Sequence, residues 1–327
     1  MSCHLSLCGL ASAIVCLACD PRVCADQPGR ATALPERLSD TGLFANVAQQ
    51  RLGSRVFAYT PSYALWSDGA DKRRWVYVPA GEQVDTRDPD AWQFPEGTKL
   101  WKEFSHDGVR LETRLLQKVG PGSADWSAVA YVWGVDQKDA VKAPYGAVNA
   151  LGTAHDVPAS GECFACHDGR ANRVLGFSAI QLARRTYDDS VGLDAEGSAI
   201  VLSEALPTLD VPGTQSQRAA LGYLHANCSH CHNQSGSAAA AGKCLDPNQS
   251  LSFELDFSLR SDALLSVGTT ATYRTAVGRV IERGKPQDSK LVQLMAGRGA
   301  FRQMPPIGTE QVDELGLRAL RDWIGAL

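Results

Sequence analysis

The chain has 327 residues, of which 44% are hydrophobic and 21% are charged. This length exceeds the usual size of a single core and favours two domains, and the composition is typical of a globular protein, not of a disordered or collagen-like one. The net charge of −4, from 32 basic and 36 acidic residues, argues against a nucleic-acid partner held by a basic surface.

The amino-terminal segment predicts an export signal. Leu5 to Cys19 is an apolar run too short to span a bilayer, and Val23-Cys24-Ala25 supplies small residues for cleavage before Asp26. We therefore expect a signal peptide over residues 1–25 and a periplasmic or cell-surface location. A lipoprotein anchored at Cys19 is the alternative, because Leu17-Ala18-Cys19 is a degenerate lipobox. No later apolar run is long enough for a transmembrane segment.

Residues 26–190 are predicted to form a mainly β domain, either a sandwich or a meander. Its strand candidates are short, rich in aromatic or β-branched residues and roughly alternating in polarity: Arg74–Val78, Thr98–Phe104, Arg110–Val119 and Trp126–Trp133. Asp107-Gly108 marks a hairpin turn between two of them.

The pattern then becomes helical, which predicts a linker over 191–212 and an all-α domain over 213–327. The helix candidates are Phe177–Arg185, Ser198–Leu206, Gln217–Asn227, Ser289–Met295 and Glu310–Leu327. The last of these is predicted to place Val312, Leu315, Ala319, Trp323 and Ile324 on one apolar face.

Two Cys-x-x-Cys-His motifs carry the chemistry: Cys163-Phe164-Ala165-Cys166-His167 and Cys228-Ser229-His230-Cys231-His232. Both match the c-type heme attachment motif, in which two thiols add to the vinyl groups of one porphyrin. The adjoining histidine then lies beneath the iron as its proximal ligand. The sequence therefore predicts two covalent hemes c, with His167 and His232 as iron ligands.

Other uses of these cysteines fit less well. Zinc needs four ligands, and the two pairs stand too far apart for common zinc spacings. A thioredoxin-like redox pair would begin a helix in a βαβ setting, which the pattern lacks, and needs no following histidine. Of the ten cysteines, five lie in the leader, and Cys244 is left over as a lone thiol.

The distal ligands are predicted from the few remaining donors. Only Met1, Met295 and Met304 are methionines, and Met304, in Gln303-Met304-Pro305-Pro306, is the expected distal ligand of the second heme. Met295 is expected to pack in the core. For the first heme the candidates are His155 and His106, of which His106 is more simply a solvated turn residue. His155 is therefore the predicted distal ligand, and the alternatives are some other donor or an open distal side.

Several further segments carry a resemblance to a known family. They are Leu38-Ser39, Gly42-Leu43-Phe44, Leu65 through Trp75, Phe94 through Thr98, Glu112-Thr113-Arg114 and Glu162 through His167. From about Leu38 to the end, the chain resembles a bacterial family of diheme c-type cytochromes. The resemblance implies a class I cytochrome c-like carboxy-terminal domain with Cys228, Cys231 and His232 as attachment and proximal residues and Met304 as distal ligand. It likewise implies Cys163, Cys166 and His167 for the first heme.

These features predict an exported electron carrier that passes single electrons between redox protein partners. One alternative is a diheme enzyme, peroxidase-like or dioxygenase-like, with an open first heme. Another is a binding module in which the β domain recognises a partner through an exposed aromatic patch and the hemes act as a relay. No residue is assigned a catalytic role, and the charged residues of the Leu65–Trp75 segment are expected to form ion pairs or a solvated face.

Overall fold

A computed structural model describes residues 34–170, 172–183, 190–206, 208–233, 250–256, 266–299 and 303–327. The predicted signal peptide over 1–25, the alternative anchor Cys19 and the lone Cys244 lie outside these residues. The described chain builds a large antiparallel sheet first and helices afterwards, as the sequence predicts.

The sheet has seven strands within the described residues. They are β3 Val56–Thr60, β4 Asp71–Tyr77, β5 Lys99–His106, β6 Val109–Lys118, β7 Trp126–Trp133, β8 Ala140–Lys142 and β9 Gly192–Leu193, and a separate ribbon joins β1 Phe44–Asn46 to β2 Arg51–Leu52. The order β8-β7-β6-β5-β4-β3-β9 makes six consecutive strands a meander. The four strands predicted from sequence correspond to β4, β5, β6 and β7.

The Asp107-Gly108 turn joins β5 to β6 as predicted. Both residues have positive φ, 49° and 78°, which suits a tight two-residue hairpin. His106 is exposed beside this turn, and its Nδ1 lies 3.6 Å from the Asp107 carboxylate, so its prediction as a solvated turn residue is confirmed.

Both faces of the sheet are covered. On one face Trp75, Trp101 and Trp133 pack against Leu38 and Leu43 from the chain before β2. The opposite face carries a second apolar cluster that continues into the helices. Because alternate residues of a strand point to opposite faces, neighbouring positions of β4 serve different cores.

The helices that the structure describes follow β8, apart from short 3₁₀ turns. They are α1 Ser160–His167, α2 Ala179–Leu182, α3 Ala195–Val201, α4 Gln215–Cys228, α5 Ala271–Ala276, α6 Lys290–Ala296 and α7 Glu314–Gly325. None of the helices in these ranges has both the length and the apolar character needed to cross a membrane.

The apolar face of α7 differs from the predicted one. Leu317, Leu320, Trp323 and Ile324 are buried, whereas the side chain of Leu315 is 73% exposed. The predicted and the observed apolar residues both recur every three or four positions, as in a helix. The helix begins only after its cap at Asp313, however, and in this position Leu315 faces the solvent.

A single core connects the sheet to the carboxy-terminal helices. It contains Val76 and Leu100 of the sheet together with Leu224 of α4 and Leu320 of α7. The segment 191–212, predicted as a linker, contributes β9, which pairs with β3, and α3 at the edge of the sheet. Whether the two parts fold independently therefore stays a prediction, and their shared core argues against it.

Candidate functional site

The first Cys-x-x-Cys-His motif lies on α1. The Glu162 carboxylate accepts a hydrogen bond from the Ala159 backbone N–H at 2.7 Å, which satisfies one free donor at the start of the helix. Cys163 and Cys166 are three residues apart and therefore lie on the same side of the helix. Both thiols are half-buried, and His167 ends the helix.

The His167 ring is oriented by a hydrogen bond at the nitrogen that a heme would not use. Its Nδ1 lies 2.5 Å from the Arg173 carbonyl oxygen. A carbonyl can only accept, so Nδ1 carries the proton and Nε2 presents its lone pair. This second contact is typical of metal-ligating histidines, so the residue fits the role of a proximal ligand.

Arg173 is itself held in place. Its backbone has a positive φ of 58°, its guanidinium donates to the Ala124 carbonyl at 2.6 Å, and it stacks over the Phe164 ring at 4.8 Å. Phe164 belongs to the first motif. These contacts hold Arg173, and with it the carbonyl on which the tautomer of His167 depends.

The second motif occupies the end of α4. This helix begins with a capping box, in which Thr214 and Gln217 each accept from the other's backbone N–H. After Cys228, the N–H groups of Cys231 and His232 both donate to the Cys228 carbonyl, at 3.1 and 2.8 Å. The motif is thus a tightened last turn, which keeps both thiols beside the histidine.

The ring of His232 packs edge-on against the Phe253 ring, with 5.6 Å between the centroids. The Phe253 N–H donates to the His232 carbonyl at 3.0 Å. These contacts fix the backbone and the ring of the second predicted proximal ligand.

The four thiols are in an environment that suits covalent attachment better than thiolate chemistry. Burial raises the pKa of Cys163 and Cys231 to about 11 and that of Cys166 and Cys228 to about 12. Reactive redox cysteines have a lowered pKa, because the thiolate is their nucleophile. The thioredoxin-like alternative therefore has no support at either pair.

The zinc alternative also lacks a ligand set. In the part of the chain that the structure describes, no three Cys, His, Asp or Glu side chains form a group that could hold a metal ion. A porphyrin supplies four of the ligands of its iron, so a c-type heme needs only two thiols for attachment and one axial imidazole from each motif. The residues at both sites fit that demand.

The two motifs pack directly against each other. A Cβ atom on Gly169 would lie 1.5 Å from the His230 carbonyl oxygen, so only glycine permits this approach. The Asn233 amide bridges the motifs by donating to the carbonyls of Gly169, at 3.0 Å, and Ser229, at 2.8 Å. Arg170 donates to the Ser229 hydroxyl at 2.7 Å and forms an ion pair with Glu254. The two sites are thus held in one rigid arrangement.

The two methionines of the carboxy-terminal part have different environments. Met295 is 5% exposed within the main core, so its prediction as core packing is confirmed. Met304 is half-buried, and its N–H donates to the Leu294 carbonyl at 3.0 Å. The assignment of Met304 as distal ligand stays a prediction.

The Leu65–Trp75 segment joins the sheet to the second site. The Trp66 N–H donates to the side chain of Asn227, the residue before Cys228, at 2.7 Å, and the indole N–H of Trp66 donates to the Gln311 carbonyl at 3.1 Å. The Asp68 carboxylate accepts from the Thr309 hydroxyl at 2.6 Å and from the Gln311 N–H at 2.9 Å. The sequence did not predict that Asp68 binds the loop at Thr309–Gln311. The only signal was that Asp68 belongs to the Leu65–Trp75 motif.

His155, the predicted distal ligand of the first heme, has a partner in the protein. Its Nε2 lies 2.7 Å from the buried Glu112 carboxylate, which also pairs with Arg114, at 2.9 Å from the Arg114 Nε. The ring nitrogen that most often binds iron is therefore engaged. This hydrogen bond would compete with iron ligation by His155, whose assignment as a distal ligand stays a prediction.

No protein-family model, no curated protein and no solved structure matches the chain. The candidate site therefore depends on its own residues and their geometry.

Proposed function

We propose that the chain is an exported diheme c-type cytochrome that transfers single electrons. The observation that carries the proposal is the direct packing of the two segments that carry the Cys-x-x-Cys-His motifs, through Gly169 just after the first motif and Asn233 just after the second. Two hemes that act independently would not need to be close together, whereas two redox centres that exchange electrons do.

Each motif is proposed to supply the same two functions. The thiols of Cys163 and Cys166, and of Cys228 and Cys231, attach the porphyrin, and His167 and His232 ligate the iron. The heme supplies the one-electron chemistry, in which the iron alternates between the ferric and ferrous states. The protein sets the reduction potential by the axial ligands, by burial and by the charges nearby.

The axial nitrogen of His167 gains basicity from the hydrogen bond between its Nδ1 and the Arg173 carbonyl. A more basic ligand stabilises the ferric state and lowers the potential. At the second site a thioether from Met304 would raise the potential. The two hemes are therefore proposed to differ in potential, which gives the electron a preferred direction toward the second heme.

The leader over 1–25 supports an exported location, in the periplasm or at the cell surface, where attached heme c is found. The electron donor and acceptor are proposed to be redox proteins. The resemblance of the motifs to diheme c-type cytochromes points in the same direction, and the carboxy-terminal helices are proposed to form the cytochrome c-like domain.

A diheme enzyme is the second candidate, and the contact between His155 and Glu112 favours it. If His155 is not a ligand, the distal side of the first iron has no donor among the residues predicted from sequence. Binding of carbon monoxide to the reduced protein under native conditions would show an open heme and favour the enzyme. Failure to bind it would favour electron transfer with both axial positions filled.

The binding-module alternative has no observation in its favour. The tryptophans of the sheet are buried on its two faces. Tyr145 is the one aromatic residue among the strongly exposed large hydrophobic side chains of the described chain. A single exposed ring is common on protein surfaces and does not form a recognition patch.

The decisive experiment is an intact mass together with a pyridine hemochrome spectrum, on protein exported by a host with cytochrome c maturation machinery. The proposal expects two covalent hemes in the wild type, one each in Cys163→Ala and Cys228→Ala, and two in the control Cys244→Ala, whose cysteine belongs to neither motif. A single heme in the wild type would contradict the diheme assignment. A wild type without any covalent heme would contradict the assignment as a cytochrome.

A further inference from the structure

Three cations stand side by side on the sheet face that the helices cover. Arg74 of β4 lies opposite Lys102 of β5, and Lys102 lies opposite Arg114 of β6. Side chains directly opposite in antiparallel strands have Cβ atoms about 5 Å apart, and like charges in such pairs destabilise a sheet. We call Arg74, Lys102 and Arg114 the cation row.

The protein neutralises the charges of the cation row only in part, because in the described chain Glu112 is the one acidic group that acts on Lys102 and it is already paired with Arg114. Among the described residues, neither the Arg74 guanidinium nor the Lys102 ammonium has a hydrogen-bond or ion-pair partner, although Arg74 is only 9% exposed. Tyr59, the neighbour whose charge would oppose Arg74, is neutral at ordinary pH, and burial raises its pKa further, to about 12. Two cations of the row, the buried Arg74 and the half-buried Lys102, are thus left without a direct partner among the described residues.

Such an arrangement is costly unless an anion completes it. A buried charge without a partner is strongly unfavourable. Burial, together with the charges of Arg74 and Arg114, lowers the pKa of Lys102 well below its ordinary value. An anion at this place would favour the charged form of Lys102 and would give Arg74 the partner that it lacks among the described residues.

The cation row lies beside the first heme-attachment site. The charges of Arg114 and Lys102 both act on the Cys166 thiol, and Arg114 also acts on Cys163. The helix that carries these thiols, α1, packs against β7, the strand next to Arg114. An anion that enters with the first porphyrin would reach the row.

We propose that the cation row binds the carboxylates of the heme attached at Cys163 and Cys166. This inference rests on the proposed function. Each heme carries two propionate carboxylates, which equals the number of cations without a partner, and guanidinium groups bind carboxylates in a two-pronged geometry. A small external carboxylate has the same chemistry and is the other source of such a group.

The test compares charge-removing and charge-keeping variants of the whole protein. Lys102→Gln and Arg74→Gln are measured beside Lys102→Arg and Arg74→Lys, and Lys138→Gln is the control, because Lys138 is 82% exposed. The readouts are heme content, the midpoint potential of the first heme and the propionate bending band in the resonance Raman spectrum. The redox wave of the first heme is identified as the one whose potential does not change in Met304→Ala.

We expect each glutamine variant to lower the potential of the first heme, because a nearby positive charge disfavours the ferric state. The propionate band should shift, and the charge-keeping variants should restore both properties. Loss of the first heme in the glutamine variants with its retention in the charge-keeping ones would support the proposal equally. Loss in both kinds of variant would overturn it, since packing and not charge would then be at work.

Three further outcomes contradict the proposal and can be told apart. Glutamine variants with unchanged potential and band would show that the row does not touch the propionates. A saturable spectral change when acetate is added to the wild type, abolished by Arg74→Gln, would assign the row to an external carboxylate. A wild type with one heme would instead mean that the proposed function itself has failed.

Discussion

The contact between Asp68 and the loop after Met304 can be tested by Asp68→Gly. The Asp68 carboxylate accepts hydrogen bonds from the Thr309 hydroxyl and from the N–H groups of Glu310 and Gln311. The side chain of Gln303, next to Met304, donates to the Thr309 carbonyl at 3.3 Å. Asp68 thus holds one end of the loop that presents the predicted sulfur ligand.

The expected magnitude follows from these hydrogen bonds. A bond to a charged group is worth about 1.5 kcal/mol when partly buried, and we take about 0.5 kcal/mol for each of the two exposed backbone donors. Asp68→Gly should therefore weaken the loop by about 2.5 kcal/mol, which is about a 60-fold change in the equilibrium between attached and detached loop. Glycine is chosen because Asp68 has a φ of 51°, where alanine would add backbone strain.

The assay follows the sulfur-to-iron absorption band of the ferric protein during denaturation by urea. In Asp68→Gly the band should vanish at a lower urea concentration than in the wild type, before the global transition. Asp107→Gly is the matched control, because Asp107 has a φ of 49° and a side chain that is 93% exposed. Both variants carry the same gain in unfolded-chain entropy.

The reasoning would be refuted if the two glycine variants lost the band at the same urea concentration, within about 0.5 kcal/mol. Asp68 would then be a surface residue without influence on the ligand loop. A wild type that lacks the band altogether would instead remove Met304 as a ligand.

The remaining predictions concern packing, charge, ligation and folding units. Gly169→Ala should destabilise the protein by about 3 kcal/mol in urea unfolding, because its Cβ overlaps the carbonyl of the second motif, whereas Gly268→Ala, with no atom closer than 3.7 Å, should have little effect. Burial raises the pKa of Glu112, but Arg114 and His155 lower it by a larger amount, so the pKa lies below its ordinary value of 4.5. The free energy of unfolding of the wild type should therefore decrease as the pH falls below 4.5 toward the folded-state pKa. Unfolding curves of Glu112→Gln should lack this decrease, and at pH 7 the variant should be about 3 kcal/mol less stable than the wild type. Met304→Ala should abolish the sulfur-to-iron band and lower the potential of the second heme in a redox titration, and an unchanged band would contradict the assignment. A chain ending at Pro212 should aggregate or lack a cooperative unfolding transition, because it exposes the shared core, and a sharp transition would instead support two independent domains.

The sequence predicted well those features that depend on neighbouring residues. Strands β4 to β7 are long and alternate in polarity, and the Asp107-Gly108 turn is a local signal, so each could be read from a short window. The helix α1 was not predicted, because Ser160–His167 contains a glycine and two cysteines and has no helical apolar period. The strand β9 has two residues, and its pairing with β3 joins distant parts of the chain, which no local pattern shows.

The candidate site was predicted only in part for a related reason. The cysteines and histidines of the two motifs are recognisable by spacing, but the approach of Gly169 to His230 joins distant parts of the chain. The bond between His155 and Glu112 is of the same kind, and no local pattern shows that the His155 ring has this partner. Spacing identifies which residues can bind, whereas the fold determines which of their atoms are still available.

The strand β4 gives the sheet a role at both proposed heme sites. Asp68 and Trp66, just before the strand, hold the loop and the helix of the second site, and Arg74, within the strand, belongs to the cation row beside the first. A displacement of β4 would therefore disturb both sites together, although their motifs lie far apart in the sequence. For this reason, Arg74→Gln that shifted both redox waves would point to movement of the strand, whereas a shift of the first wave alone would point to the loss of charge.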